Sequence, residues 1–294
     1  MEEKMKKIVI ALVLILSFAL CQNVCAQDMI QIKGSDTLIN LVQMLSEIYM
    51  QKNPGKYIAV TGGGSGTGVA ALINDKCDIA NASRLMKPKE VDQAARNGVS
   101  VNRVVIAMDG LSVITNGNSP IHQLTADEIG KIFRGEITNW SDVGGPDSSI
   151  TLYGRQSNSG TFVFFRDAIL KGDYSQNMNR MNGNAQIVEA VKQDVSGIGY
   201  VGVGYVKAVT GLNVLKVAAR AGMSYASPLS SEDVKSGKYP ISRPLNQYVN
   251  GTPSGDTKAF LEFELSPEGQ KIVEEEGFFP IPLEYQEFNK KVGL

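Results

Sequence analysis

Arg155-Gln156-Ser157-Asn158-Ser159-Gly160-Thr161 places an arginine and a run of small hydroxyl residues where an extended apolar pattern gives way to a helical one. The same arrangement occurs twice earlier, at Lys33-Gly34-Ser35-Asp36-Thr37 and at Gly62-Gly63-Gly64-Ser65-Gly66-Thr67-Gly68. A helix start carries unpaired N–H groups and the positive end of the helix dipole, so it attracts anions. One such turn means little. Three in one chain, one of them with an arginine, suggest a small oxyanion held between several helix ends. A guanidinium fork fits two oxygens of a tetrahedral anion. Glycine lets the backbone approach closely, and Ser65 and Thr67 can donate from their hydroxyls. Micromolar binding requires about 8 kcal/mol, and a hydrogen bond to a charged group supplies about 1.5–3 kcal/mol, so several loops must converge on one ion. Plainer readings exist for each part: N-capping for Ser35, Asp36 and Thr37, and a solvated loop charge for Arg155. The glycine loop lacks the Lys-Ser/Thr ending of a P-loop and does not match a dinucleotide fingerprint.

Working outward, residues 30–32 read as a strand and 37–52 as a helix, with Leu38, Leu41, Val42, Leu45, Ile48 and Tyr49 near the helical period and Pro54-Gly55 as its stop. Residues 57–60 form the next strand, followed by a helix through Val69, Ala70, Leu72 and Ile73, a strand at 77–80 and a helix at 88–96. This β-α-β-α order predicts a mostly parallel sheet covered by helices. The apolar run 101–108 and 111–115, broken by Asp109-Gly110, could cross between two lobes. Beyond it come a helix at 124–133, a strand at 150–153, helices at 160–170 and 185–192, and a glycine-spaced strand or turn at 196–202. A returning strand at 240–249 and two final helices at 257–265 and 267–276 complete the pattern. Two α/β lobes joined by two crossings suit this order, with ligand in the cleft between them.

Residues 1–26 are set apart from the fold. Three lysines precede a 13-residue apolar run at 8–20, too short to span a bilayer comfortably. Val24-Cys25-Ala26 then offers a cleavage site, so this segment is predicted to be a secretory signal peptide, with lipid anchoring at Cys21 as the alternative. The remaining chain, roughly 268 residues, suffices for one large or two ordinary domains. The net charge of −1 shifts by only one further unit without the leader, so no basic excess points to nucleic acid or an anionic membrane. Cys77 is then the single cysteine, read as a small buried hydrophobe. His122 is the only histidine and lies in a Ser-Pro-Ile-His loop with no nucleophile elbow, which argues against a Ser–His triad and a multi-histidine metal site.

Gly34-Ser35-Asp36-Thr37, Gly63-Gly64-Ser65-Gly66-Thr67-Gly68, Asp78-Ile79-Ala80-Asn81-Ala82-Ser83-Arg84 and Ser159-Gly160-Thr161-Phe162 resemble successive motifs of the phosphate-binding proteins that serve ABC phosphate importers. Thr125-Ala126-Asp127-Glu128-Ile129, with Ile132-Phe133-Arg134-Gly135-Glu136-Ile137-Thr138-Asn139-Trp140, is similar to a signature of that family, as is Ser266-Pro267-Glu268-Gly269-Gln270. The resemblance covers residues 30–281. It implies an α/β, two-lobed periplasmic binding protein fold of type II, each lobe a mostly parallel sheet flanked by helices, with two hinge crossings. The expected division is 27–108 plus 238–294 for one lobe and 109–237 for the other.

Carried over by position, the resemblance implies donors from Thr37 and the Leu38 amide, from Ser65 and Gly66, and from Arg155, Ser159, Gly160 and Thr161 on the opposite lobe. Ser35 stands beside the first of these. Asn139-Trp140 is read as packing. Ser83 stands where the best-known members place an aspartate that accepts the proton of hydrogen phosphate. A carboxylate there separates phosphate from sulfate, because fully ionised sulfate has no proton to give. Arg84 could add a cation, and Asp36 could supply the acceptor. The implied function is non-catalytic capture of inorganic phosphate by an extracytoplasmic monomer. It would deliver the ion to an ABC permease, with no cofactor, metal or nucleic acid involved. Alternatives are sulfate, molybdate or an organic phosphate as ligand, a sensor using the same fold, and a phosphate-ester hydrolase.

Overall fold

The computed structural model describes residues 29–294, so the expected leader over 1–26 and the alternative anchor at Cys21 lie outside the described residues. The chain first lays down β1 (Met29–Gly34), α1 (Ile39–Lys52), β2 (Tyr57–Gly63), α2 (Ser65–Ile73), β3 (Ile79–Ala82), α3 (Pro88–Arg96) and β4 (Val101–Gly110). It crosses to β5 (Ser112–Asn116), β6 (Gln123–Thr125), α4 (Ala126–Arg134), β7 (Thr151–Arg155) and α5 (Gly160–Phe165). Next come β8 (Asn179–Met181), α6 (Asn184–Gln193), β9 (Gly197–Val201), β10 (Leu212–Val214), β11 (Lys216–Ala218) and α7 (Ser231–Lys235). It returns through β12 (Ser242–Asn250) and ends in α8 (Gly255–Leu265), α9 (Pro267–Glu275) and α10 (Leu283–Lys290).

These strands form two five-stranded sheets, ordered β2-β1-β3-β12-β4 and β10-β5-β9-β7-β8, and a small β11-β6 pair. In the first sheet β1 runs parallel to β2 and β3, whereas β12 is antiparallel to both neighbours. In the second, β7 runs parallel to β8 and β9, and β5 is antiparallel to β9. The reversed strand in each sheet, β12 or β5, is the one that has just entered from the other sheet. Two crossings therefore explain both reversals. They lie side by side: the Leu111 amide donates to the Ile241 carbonyl at 3.0 Å.

Apolar periodicity accounts for the packing. Leu41, Val42, Leu45 and Tyr49 turn one face of α1 onto the first sheet, and Ile187, Val188 and Val191 do the same for α6 on the second. In the second lobe Phe165 stacks on Tyr200 with ring centres 4.1 Å apart, and Phe133 meets Phe165 edge-on at 5.1 Å.

Several boundaries differ from the sequence expectations. The helix expected at 37–52 opens with a 3-10 turn, Asp36–Leu38. The strand expected at 77–80 starts only at Ile79, because the Asp78 carboxylate turns back to accept the Gln31 amide at 2.7 Å. The helix expected at 124–133 is a three-residue strand followed by a helix; Thr125 caps α4 in a reciprocal box with Glu128, which fixes the helix start. A π turn, Arg166–Leu170, finishes the helix that opens at Gly160. The third C-terminal helix, α10, was not anticipated, nor were the edge strands β8 and β10, which are too short for alternation to register. Cys77 is buried beside the Gly68 carbonyl, and burial pushes its thiol up to about 12. His122 is exposed, and Trp140 is buried with its indole N–H donating to the Ser196 carbonyl at 3.0 Å.

Candidate oxyanion site

In open α/β sheets ligands sit beyond the carboxyl ends of the parallel strands. Here Ser35 follows β1, Ser65 follows β2 and Ser83 follows β3, while Arg155 ends β7 and Ser159, Gly160 and Thr161 follow it. The two sheets turn these edges toward each other. Gly34 makes the first turn possible: its φ is +137°, and a Cβ there would overlap the Asn81 carbonyl of the neighbouring strand. Gly160 makes the approach of the second edge possible, since a Cβ there would overlap the Ser65 hydroxyl.

What results is a buried knot of hydroxyls drawn from both sheets. Thr37 Oγ1 lies 2.9 Å from Thr161 Oγ1. Ser35 Oγ donates to Ser83 Oγ at 2.9 Å. Ser83 Oγ stands 3.3 Å from both Ser65 Oγ and Thr161 Oγ1, and the Ser83 amide donates to Ser65 Oγ at 3.0 Å. Capping does not explain Ser35, Asp36 or Thr37, because Ser35 makes no cap hydrogen bond and the side chains of Asp36 and Thr37 reach across to the second sheet. Ser159 does cap α5, accepting the Phe162 amide at 3.4 Å. The amides of Gly160 and Thr161 open that helix, where no carbonyl lies one turn back to accept them. The Leu38 amide is engaged inside the 3-10 turn by the Ser35 carbonyl at 3.2 Å, and the Gly66 amide donates to the Asn158 carbonyl at 2.9 Å. As they stand, those two amides hold the first turn and the contact between lobes.

Arg155 is only 2% exposed. Its Nη1 donates to Asp36 Oδ2 at 3.2 Å and its Nη2 to the Asn182 carbonyl at 2.8 Å, leaving Nε buried without a partner. Desolvation pulls the guanidinium below its ordinary pKa, opposed by the nearby Asp36 carboxylate. Asp36 also accepts from the Asn184 amide at 2.8 Å and from Asn184 Nδ2 at 2.6 Å, so its Oδ2 is ringed by donors and is not turned to the hydroxyls. Through Oδ2, Asp36 braces Arg155 and Asn184 in this arrangement.

Arg84 also departs from expectation. Its two amino groups grip Glu90 at 2.7 and 2.8 Å and the Leu85 carbonyl at 2.8 Å, a clamp at the start of α3. None of its hydrogen bonds reaches the hydroxyls. The Arg84 guanidinium beside it holds the Glu90 carboxyl below the usual range, against the opposing push of its burial.

The second arginine of the site was missed. Arg243, at the start of β12, is 3% exposed and is paired in register with Asp109 at the end of β4. Its Nε and Nη2 hold Asp109 Oδ2 at 3.0 and 2.8 Å, Nη1 donates to the Ser83 carbonyl at 2.8 Å, and Nη2 donates to Thr161 Oγ1 at 3.0 Å. Asp109 Oδ1 accepts the Val203 amide at 2.9 Å from the turn that follows β9. A signal existed. A charge inside an apolar strand is seldom buried unless paired, and Asp109 and Arg243 are charges that interrupt the two crossing strands at their mutually facing ends.

The chain matches the family profile described as the PBP superfamily domain over residues 22–268. It is 32% identical over 280 residues to the phosphate-binding protein PstS of Pseudomonas aeruginosa, spanning 89% of this chain and 86% of that one. It is 31% identical over 291 residues to the phosphate-binding protein PstS of Borreliella burgdorferi, spanning 94% and 99%. Among solved structures, a candidate phosphate ABC transporter substrate-binding protein from Clostridium perfringens, crystallised with bound phosphate, superposes with a TM-score of 0.78 at 28% identity, covering 87% of this chain and 100% of that one.

Proposed function

The chain belongs to the PBP superfamily and, within it, to the phosphate-binding proteins, and from that premise we propose that it captures inorganic phosphate outside the cytoplasmic membrane and delivers it unchanged to an ABC permease. The observation that carries this reading is the meeting of Thr37, Ser35, Ser65 and Ser83 from one sheet with Thr161 from the other, in a buried setting flanked by two arginines. Hydroxyls and first-turn amides can replace the hydration of a tetrahedral anion, each bond to the ion being worth about 1.5–3 kcal/mol. Three to five such bonds reach the roughly 8 kcal/mol of micromolar affinity.

The lobes are assigned as 27–108 plus 238–294 and 109–237, hinged where Leu111 and Ile241 run side by side. Closure about that hinge commits the ion and presents the closed form to the permease. The protein acts as a monomer, without cofactor, and performs no chemistry on its ligand. His122, its only histidine, is exposed in a loop. Export through the leader at 1–26 places it in the periplasm or an equivalent extracytoplasmic space.

Calorimetric titration of the leaderless chain with inorganic phosphate tests the reading. Saturable 1:1 binding at micromolar affinity or tighter is expected, and the absence of heat up to millimolar phosphate would overturn it. A second reading, in which the ligand is another tetrahedral oxyanion, is favoured by one observation: among the described residues no carboxylate is hydrogen-bonded to the hydroxyls. Titrations with sulfate and molybdate in the same buffer decide between the two.

A further inference from the structure

We propose that Asp36 is a positioning residue that latches the two sheets around the anion: its carboxylate crosses from the first sheet to cap α6 on the second and to hold the Arg155 guanidinium, without itself touching the ion. The inference rests on the phosphate reading above and goes further, to what holds the cleft closed and so sets its affinity.

The reach of Asp36 is the first support. It follows β1 in the first sheet, yet its Oδ2 accepts from Arg155 Nη1 at 3.2 Å, from the Asn184 amide at 2.8 Å and from Asn184 Nδ2 at 2.6 Å, all on the second. Its carbonyl accepts the hydroxyl of Tyr205, which follows β9, at 2.7 Å. The next residue, Thr37, is the one whose hydroxyl meets Thr161 at 2.9 Å. The bonds of Asp36 therefore carry Thr37 to its place in the site.

The seat on α6 is built to receive a carboxylate from elsewhere. Gly183 holds the cap position of this ten-residue helix and offers no side chain, and the first turn has no acid of its own. A helix start in that state has unpaired N–H groups and the positive end of the dipole. Asp36 supplies both the oxygen and the charge. Asn184 is fully buried and accepts the Gly202 amide at 3.2 Å through Oδ1, which leaves its Nδ2 for Asp36. Arg155 Nη2 donates to the Asn182 carbonyl at 2.8 Å, so the guanidinium lies against the same turn.

The same contact accounts for Gly183. Its backbone is extended, with φ −137° and ψ 164°, which any residue adopts. A Cβ there would stand 3.2 Å from Asp36 Oδ1 and 3.4 Å from Oδ2. The glycine keeps room for the carboxylate rather than serving a turn. Opening the cleft withdraws Asp36, so α6 loses its cap in the same step as Arg155 loses its counter-charge. That cost opposes opening. Phosphate binds the closed form, and whatever favours that form tightens phosphate binding.

The test is a double-mutant cycle. Dissociation constants for inorganic phosphate are measured by calorimetry on the leaderless chain, on D36A, on G183S and on D36A/G183S, with urea unfolding of each in the absence of phosphate. D36N, which keeps an acceptor oxygen and should lose less, replaces D36A in the cycle if an unpaired Arg155 prevents folding. D36A should weaken phosphate about tenfold or more, the size of one lost charge-assisted bond. Gly183→Ser caps α6 from within and crowds Asp36, so it should leave unfolding stability unchanged or raised while weakening phosphate about fivefold. In the D36A background the same substitution should leave phosphate affinity unchanged. Undiminished affinity in D36A, an equal effect of G183S with and without Asp36, or a loss of affinity in G183S matched by a loss of stability would overturn the inference while leaving phosphate capture intact. Failure of the wild-type chain to bind phosphate would instead overturn the reading on which the inference rests.

Discussion

At the level of single residues, Gly160 offers the sharpest handle. A methyl group there would overlap the Ser65 hydroxyl and approach Ser83 Oγ to 2.8 Å, so it opposes closure while favouring the helix that Gly160 begins. Gly160→Ala is expected to cost about 1–3 kcal/mol of phosphate binding with no loss of thermal stability in the absence of ligand; undiminished affinity would separate Gly160 from the site. Arg155→Ala removes a buried guanidinium and strands Asp36, and should weaken phosphate by about 3 kcal/mol or more, read by calorimetry. A near-neutral result would place the ligand elsewhere. These two residues stand out in the sequence because they sit in a short motif with the local order Arg-x-x-x-Ser-Gly-Thr. Arg243 and Asp109 showed only as charges within apolar strands, and their partnership was not legible. They lie 134 residues apart and become a pair only when β4 and β12 align. The same limit applied to Arg84, whose pairing with Glu90 on the next helix was not readable from its place in a motif.

Elements show the same division between local and distant information. Helices with a strong apolar stripe, such as α1 and α6, were found close to their true bounds. Elements set by a side chain elsewhere were misplaced, as at β3, where Asp78 bonds back to β1. A further polar chain escaped notice altogether. Asn81 on β3 accepts from Gln247 on β12 at 3.2 Å, and Gln247 donates to Glu264 on α8 at 3.1 Å. Glu264 is fully buried, and desolvation raises its carboxyl from the ordinary 4.5 to about 8, only partly offset by the Gln247 bond.

The sign of the pH effect follows. The unfolded chain loses this proton above about 4.5, whereas the folded chain keeps it until about 8. The contribution of Glu264 to stability is therefore complete below the lower value and declines across that window as pH rises, by up to about 1.4 kcal/mol per unit. Glu264→Gln should flatten the decline. Urea unfolding of both chains at pH 5 and pH 8 checks this, and parallel pH dependences would contradict it.

For the whole molecule, the α/β class and the two lobes were readable from the alternation of strands and helices, and the structure gives two mostly parallel sheets with one reversed strand each. How the lobes meet was not readable. The contact is made by Asn158, whose side chain donates to the Gly63 carbonyl at 2.8 Å and whose carbonyl accepts the Gly66 amide, together with Thr37 on Thr161 and Asp36 on Arg155. These bonds are polar, as are those of the Tyr205 hydroxyl to the Asp36 carbonyl, of Asn184 to Asp36 and of Arg243 to Thr161, and an ion between the lobes adds to them. Phosphate should therefore both compact and stabilise the protein. Small-angle scattering is expected to show a smaller radius of gyration with ligand, and unfolding free energy should rise by about 2.7 kcal/mol at a hundredfold excess over the dissociation constant. Ligand-independent dimensions would count against a hinged capture.

The most direct test of the central claim, that hydroxyls from two facing lobes surround one unmodified oxyanion, is a crystal structure of the phosphate complex. The expected density places the ion within hydrogen-bonding distance of Thr37, Ser65 and Ser83 on one side and of Arg155, Ser159 and Thr161 on the other, with the direct contacts between hydroxyls replaced by bonds to phosphate. An ordered phosphate bound elsewhere, with Thr37 and Thr161 still bonded to each other, would contradict it.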